Sequence, residues 1–233
     1  MGAPGAADHG TPGVYFRLRR EPGPAGHDVR ESARRDIART LARASGWTAA
    51  LAERREVERA FDALPPGARI AQAGAMPDRA ERAVRLVVRD IDAAAVPEFL
   101  ARLRWPGRIA SASAVLTDLL EAGPRFALSF DVTARGVGPR LGLEVYAGRG
   151  GNWQETRRSD WQPCVARLVE RSRCTASKAR GLLEWPGHQK MYFDNAVFLA
   201  HQGINHVKVA VAEDVVEAKG YVGMSFVPLL VGT

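Results

Sequence analysis

Basic residues recur at matching places in this sequence, and their chemistry is that of anion binding. Arg85, Arg140 and Lys219 each lie in a stretch of alternating apolar and polar residues, and Lys208 lies in a fourth. Guanidinium and ammonium groups bind phosphate and carboxylate oxygens through charge-assisted hydrogen bonds. The pattern indicates a site for an anionic small molecule or an acidic peptide.

Two tyrosines and a carboxylate accompany these cations. Successive residues of a strand point to opposite faces, so Glu144 and Tyr146 share a face with Arg140. By the same rule Tyr221 shares a face with Lys219. We therefore predict a basic, tyrosine-lined sheet face, on which Glu144 is the candidate base or the stabiliser of a developing cation.

A second carboxylate, Asp131, leaves two interpretations open. We predict that Asp131 and Glu144 lie on facing strands of one hairpin, where they could act as a general acid and base. The alternative is a structural ion pair with Arg125 or Arg140, since structural ion pairs also perturb the pKa values of carboxylates without any catalysis.

Other motifs do not support a cofactor or metal site. Gly136-Val137-Gly138 falls in a predicted hairpin turn, not between a strand and a helix as a dinucleotide-binding motif requires. His201 and His206 are five positions apart, on a predicted helix end and a predicted strand, with no third ligand evident. We therefore predict neither a cofactor nor a bound metal ion.

Composition points to a folded, cytoplasmic protein. The 233 residues are 46% hydrophobic and 25% charged, which is ordinary for a globular protein, and the net charge is +7. That excess favours either an anionic partner or simply a solvated, arginine-rich surface. Cys164 and Cys174 belong to no Cys-x-x-Cys pair, so we expect reduced thiols, and no apolar run is long enough to cross a membrane. Residues 1–13 are predicted to be a disordered tail, not a secretory signal.

The elements that carry these residues follow one order, two helices and then a hairpin, in three segments of about 30–92, 93–150 and 160–227. We expect them to form a single domain over residues 14–233, after a first strand at Val14–Arg20. The three predicted hairpins pair Arg69–Met76 with Ala83–Asp90, Arg125–Ala134 with Gly138–Gly148, and Asn205–Ala212 with Val216–Val227. The third hairpin follows a predicted helix that contains Phe193, Val197, Phe198 and Leu199.

Tryptophan spacing supports a repeat. Trp105 precedes Arg125 by 20 positions, and Trp185 precedes Asn205 by 20 as well. The first segment is looser, because Trp47 precedes the start of its hairpin by 22 positions. The fold class we predict is α+β, with an antiparallel sheet that curls toward a barrel. Helices would cover its apolar face, and its polar face would look into solvent or a wet lumen.

This order of helices and hairpins, with its basic and tyrosine-lined sheet face, resembles the ABBA (PT-barrel) prenyltransferases. Leu141–Gly148, with the sequence LGLEVYAG, is also similar to a strand of the cyanobactin-type peptide prenyltransferases. The resemblance implies a barrel whose lumen holds an isoprenoid diphosphate. It implies that the cations bind the diphosphate and the tyrosines shield it: Arg85, Arg140, Lys208, Lys219, Tyr146 and Tyr221. That family closes its barrel with five units, whereas three are counted here.

Two functions follow from these patterns. The first is a small transferase that acts on an aromatic or peptide acceptor with a diphosphate donor. The alternative is a non-catalytic binding or accessory protein for an acidic peptide or for a partner enzyme of a biosynthetic pathway. Nucleic acid is the weaker partner, because the inferred polar face has few Phe or Trp residues for stacking bases. An enclosed lumen would favour the transferase, and an open face would favour the binding protein.

Overall fold

The computed structural model shows a mixed α+β protein. The residues that it describes are 14–18, 35–37, 39–40, 51–76, 82–121, 125–147, 153–193, 196–213 and 215–229. Within these ranges no helix is both long and apolar enough to cross a membrane. The predicted tail at residues 1–13 lies outside the described residues.

Five helices have defined bounds. They are α1 (Leu51–Ala63), α2 (Val96–Arg102), α3 (Ile109–Leu120), α4 (Arg158–Glu170) and α5 (Ala176–Glu184). Residues 35–37 and 39–40 are also helical, and single 3-10 turns lie at Ala93–Ala95 and Trp153–Glu155. Thr175 caps α5, because its side chain accepts a hydrogen bond from the amide of Lys178.

Eight strands belong to one antiparallel sheet, which does not close into a barrel. They are β1 (Val14–Arg17), β2 (Arg69–Met76), β3 (Ala83–Arg89), β4 (Arg125–Thr133), β5 (Gly136–Tyr146), β6 (Gly187–Phe193), β7 (Ala196–Ala212) and β8 (Val215–Leu229). Their order is β1-β2-β3-β4-β5-β7-β6, and β8 pairs with β7. The predicted α+β class and antiparallel sheet are therefore confirmed.

The chain divides into two compact units, and the division falls within β4 and β5. Unit 1 contains the described residues up to Pro106 together with Ser129–Gly138. Unit 2 contains those of Gly107–Leu128 and those from Pro139 onward.

Unit 1 is built on the β1–β2–β3 meander. In the antiparallel ladders Phe16 is opposite Ala73, and Ala73 is opposite Leu86. Both faces of β3 are buried, since Val84 and Val87 are each almost fully covered. Phe99 of α2 packs against Phe130, with 6.1 Å between ring centroids. Burial on both sides explains why apolar residues occupy both parities of β3.

Unit 2 is built around β7, which is 17 residues long. Its C-terminal half pairs with β5, its N-terminal half pairs with β6, and β8 pairs along almost its whole length. The face that β5 shares with the C-terminal half of β7 is apolar and buried: Leu141, Leu143, Val145, Val207 and Val209. A Cβ atom at Gly220 would lie 2.8 Å from Leu182 Cδ1, so α5 packs tightly on this apolar face.

One predicted element is wrong. Phe193, Val197, Phe198 and Leu199 do not form a helix, because Phe193 ends β6 and the other three lie in β7. Aromatic and β-branched side chains favour strands, and pairing with β8 extends β7 through this stretch. The third segment therefore has two helices followed by three strands. Asn205 also lies inside β7, whereas Arg125 begins β4, so the equal tryptophan spacings mark different places.

Most other boundaries agree with the predictions. The first two hairpins are present. The second turn lies at residues 134–135, so Gly136-Val137-Gly138 begins β5 and does not form the turn as predicted. Helices α2 and α3 precede the second hairpin, in the predicted order of two helices and then a hairpin. Trp47, from which the spacing in the first segment was counted, lies outside the described residues.

Candidate functional site

The polar face of unit 2 gathers five of the six predicted ligand-binding residues together with Glu144. Cross-strand partners point to the same face of a sheet, and Lys208 of β7 is opposite both Glu144 of β5 and Lys219 of β8. We call the side of β5, β7 and β8 that carries these three residues the polar face. Arg140, Tyr146 and Tyr221 belong to it by strand parity, as predicted.

Glu144 lies in the most buried part of the polar face, with 6% of its surface exposed. Its Oε2 accepts a hydrogen bond of 2.8 Å from the Tyr146 hydroxyl. Its Oε1 lies 3.3 Å from Lys208 Nζ, and the Lys208 side chain is only 12% exposed. A buried carboxylate needs such partners, so Lys208 and Tyr146 compensate for the water that Glu144 loses.

An aromatic stack extends the polar face from Tyr146 to β8. The His206 ring lies 5.4 Å from the Tyr146 ring and stacks on Tyr221 at 4.3 Å, with 14° between the planes. A bulge in β7 makes this possible, because Ile204 is opposite Val222 while His206 is opposite Tyr221. The extra residue reverses the parity of the strand and brings His206 onto the polar face.

The exposed end of the polar face holds two cations and one carboxylate. Arg140 of β5 contacts Glu217 of β8, and Lys219 Nζ lies 3.1 Å from Glu217 Oε1. Hydrogen bonds from Lys219 and then Arg140 lower the pKa of Glu217 below its usual value. All three side chains are more than two-fifths exposed, so this cluster meets solvent.

Trp153 also contributes to the polar face, and the sequence analysis missed it. A Cβ atom at Gly203 would lie 2.8 Å from the Trp153 carbonyl oxygen, and one at Gly223 would lie 3.1 Å from its ring. The next residue, Gln154, donates a hydrogen bond of 2.7 Å to Ser225 Oγ. Glycines inside strands mark such close approaches, so Gly203 and Gly223 were the available signal.

Arg85 belongs to unit 1, where it forms a buried ion pair. Its guanidinium makes a two-pronged contact with Asp131, at 2.7 Å and 2.8 Å, and lies 3.4 Å from the Tyr15 hydroxyl. Burial alone would lower the pKa of Arg85, but the hydrogen bonds and charge of Asp131 outweigh it and raise that pKa. Asp131 and Glu144 thus each form an ion pair, with Arg85 and Lys208, whereas the structural alternative had named Arg125 or Arg140 as the cations.

A further charged cluster in unit 2 had no signal in the local sequence. Asp118 of α3 is nearly buried and receives three guanidinium groups, from Arg167, Arg171 and Arg173, at 2.8–3.1 Å. Burial would raise the pKa of Asp118, but the three arginines, Arg171 foremost, lower it below its usual value. This cluster ties α3 to the end of α4.

The β8 strand lies at an edge of the sheet. In the part of the chain that the structure describes, β8 pairs with β7 only. Most of the exposed large hydrophobic side chains lie on β8 or at the end of β6: Tyr192, Phe193, Val216, Tyr221, Val222, Met224, Phe226, Val227 and Leu229. A long apolar edge strand is a template for pairing with another chain.

Cys164 is a buried thiol of α4. Burial raises the pKa of Cys164 to about 11, so its thiol stays protonated at neutral pH. Among the described residues no group of three or more His, Cys, Asp or Glu side chains could hold a metal ion.

Comparison with known proteins assigns no family: no protein-family model, no curated protein and no solved structure matches the chain.

Proposed function

We propose that this chain is a non-catalytic binding protein that takes up an extended, acidic peptide segment of a partner along β8. The observation that carries the proposal is the β8 edge. Among the described residues this 15-residue strand pairs only with β7, and both of its faces carry exposed side chains. A peptide that pairs with such an edge gains main-chain hydrogen bonds and side-chain contacts on two faces.

The main chain of β8 supports the proposed hydrogen bonds to a peptide. Natural edge strands are usually short or protected by charges, prolines or bulges. Within β8 only Glu217, Lys219 and Pro228 provide that protection, since the register shift between β7 and β8 lies in β7. Trp185 Nε1 donates a long hydrogen bond of 3.4 Å to the carbonyl of Gly223, which a peptide amide would replace.

The apolar face of β8 supports the proposed side-chain contacts with a peptide. Val222, Met224 and Phe226 alternate along the strand and are 47%, 44% and 51% exposed. A partner strand with apolar residues at every second position would cover them. Complete burial of one such side chain contributes about 1.5–3 kcal/mol. Because these side chains are about half exposed, covering them with a partner strand would contribute a large part of that free energy to binding.

The charges on the polar face favour a carboxylate as the partner's polar group. Arg140 and Lys219 share the single carboxylate of Glu217, which leaves this cluster with one excess positive charge. The charge of Lys208 is balanced by Glu144, which it contacts. One acidic side chain would balance the exposed cluster, whereas a diphosphate carries more negative charge than it offers. The partner segment would therefore alternate acidic and apolar residues.

A transferase is the second candidate function, and one observation favours it. Glu144 is buried, hydrogen-bonded by Tyr146 and adjacent to Lys208, an environment in which a carboxylate could serve as a base. The prenyltransferase resemblance would make Arg140, Lys219 and Tyr221 the donor-binding groups. We place this candidate second, because an open sheet gives water access to a reactive allyl cation.

The proposal is tested with synthetic peptides and the full chain. Fluorescence anisotropy would compare a labelled peptide of alternating Glu and Val with its Lys–Val counterpart and with a scrambled Glu–Val peptide. We expect only the first to bind. Phe226→Lys should abolish binding, while Tyr192→Ser, at an exposed aromatic residue of β6, should leave it unchanged.

Three results would overturn the proposal. The first is equal binding of all three peptides. The second is a dimer in sedimentation velocity that Phe226→Lys dissociates, because β8 would then pair with a second copy of the chain. The third is thermal stabilisation by pyrophosphate or an isoprenoid diphosphate with no peptide binding, which would favour the transferase.

A further inference from the structure

Two histidines lie opposite each other on neighbouring strands of unit 2. His188 of β6 and His201 of β7 are partners in the antiparallel ladder, so both side chains leave the sheet on the same face. Their ring centroids are 4.5 Å apart, and the ring planes are 84° apart. His201 had been expected on a helix end, and only the strand pairing brings the two imidazoles together.

We propose that His188 and His201 form a two-ligand site for a divalent transition-metal ion of the Zn²⁺, Cu²⁺ or Ni²⁺ class. Metal–imidazole bonds are about 2.0–2.1 Å long, so two nitrogens on one ion lie on the order of 3 Å apart. The ring centroids of His188 and His201 lie 4.5 Å apart, which is close enough for one nitrogen of each ring to reach a shared ion.

One small movement completes the site. The two rings now meet edge to face, and a shared ion requires a nitrogen of each ring to point at the same place. His188 is exposed and His201 is half-buried, so the His188 ring can turn without losing a packed environment. Rotation of a histidine ring about χ2 is a broad, low-cost motion.

The donor atoms define the class of ion. Two imidazole nitrogens suit zinc, copper and nickel, whereas magnesium and calcium require oxygen ligands. Ser225 of β8 is the partner of His201, and Lys190 lies on the same face two residues beyond His188. Water or a group from a bound partner would fill the other positions, and the Lys190 ammonium would oppose the charge of the ion.

Isothermal titration of the tag-free, metal-free full chain with Zn²⁺ tests the site. We expect one ion per chain, with affinity that falls roughly tenfold or more in His188→Ala and in His201→Ala. His206→Ala is the matched control, since this histidine stacks on Tyr221 and should not affect binding. Lys190→Gln should bind the ion more tightly, because it removes a nearby positive charge.

Binding that survives both His188→Ala and His201→Ala, or that is lost in His206→Ala, would overturn the proposal. If an alanine variant fails to fold by circular dichroism, the glutamine variant at the same position, His188→Gln or His201→Gln, replaces it. The spectrum of bound Cu²⁺ gives an independent readout. Paramagnetic resonance should show coupling to two imidazole nitrogens, and coupling to one or none would contradict the site.

Discussion

Arg85 of unit 1 and Arg140 of unit 2 carry the same guanidinium, yet their surroundings give them different roles. Arg85 and Asp131 are 15% and 14% exposed and form a two-pronged ion pair. Arg140 and Glu217 are each 44% exposed, and Glu217 is shared with Lys219. The first arrangement is part of the packed structure, whereas the second can still exchange its partner.

This difference teaches that burial, not residue type, separates a structural cation from one available to a ligand. Breaking a buried pair leaves a charge without compensation in a poorly solvated place, which is costly. An exposed pair contributes little, because water and salt screen it. Four variants, with progressively smaller expected effects on stability, test this distinction.

Asp131→Asn should cause the largest loss. It leaves the Arg85 guanidinium buried without its carboxylate, and we expect the free energy of unfolding to fall by about 3 kcal/mol. Urea denaturation measures this loss. The double variant Arg85→Met with Asp131→Leu should recover most of it, because the two apolar groups need no ionic partner. A loss near zero in Asp131→Asn would remove the distinction between the two arginines.

Glu144→Gln tests the same rule inside unit 2. The Lys208 ammonium would lose the carboxylate beside it, and we expect a decrease of about 2 kcal/mol in the free energy of unfolding. Glu217→Gln is the matched control at the exposed end of the polar face and should unfold at the wild-type urea concentration. Equal losses in the two variants would contradict the account.

The contribution of Asp118 to stability is expected to be intermediate, and its dependence on pH can be measured. The arginines hold its folded-state pKa below the usual value of 3.8, so the unfolded chain binds this proton more tightly. The stabilisation is therefore complete above about pH 4 and is lost as pH falls through the lower folded-state value. As the pH falls below about 4, the wild type should lose stability more steeply than Asp118→Asn, in thermal unfolding followed from neutral to acidic pH. Parallel curves would contradict the assignment.

Lys219→Ala should have the smallest effect on folding and a clear effect on binding. Its side chain is 49% exposed, so the thermal unfolding midpoint should stay at the wild-type value. Binding of the Glu–Val peptide should weaken by roughly tenfold, as expected for the loss of one well-placed charge contact of about 1.4 kcal/mol. A large loss of stability would make Lys219 structural, and unchanged binding would remove it from the site.

Strand parity was the most informative feature of the sequence. The period of two placed Lys219, Tyr221 and Ser225 on one face of β8 and Val222 and Met224 on the other, as the register with β7 confirms. Such a pattern is local, since each strand residue alternates irrespective of what the strand pairs with.

Pairing over long distances could not be predicted in the same way. The partner of Arg85 is 46 residues away, and Gln154 contacts a serine 71 residues away. The segment around Phe198 was predicted to be helical because its apolar residues also fit a helical spacing. Pairing with β8 made it a strand, and no local signal carries that information.

Hydrogen–deuterium exchange across β8 tests the central proposal most directly. With saturating Glu–Val peptide, the amides of residues 215–229 should exchange more slowly, while those of α1 in unit 1 should exchange as before. Protection confined to β8 and lost in Phe226→Lys is the predicted result. Unchanged exchange of β8 in the presence of bound peptide would contradict strand pairing at this edge.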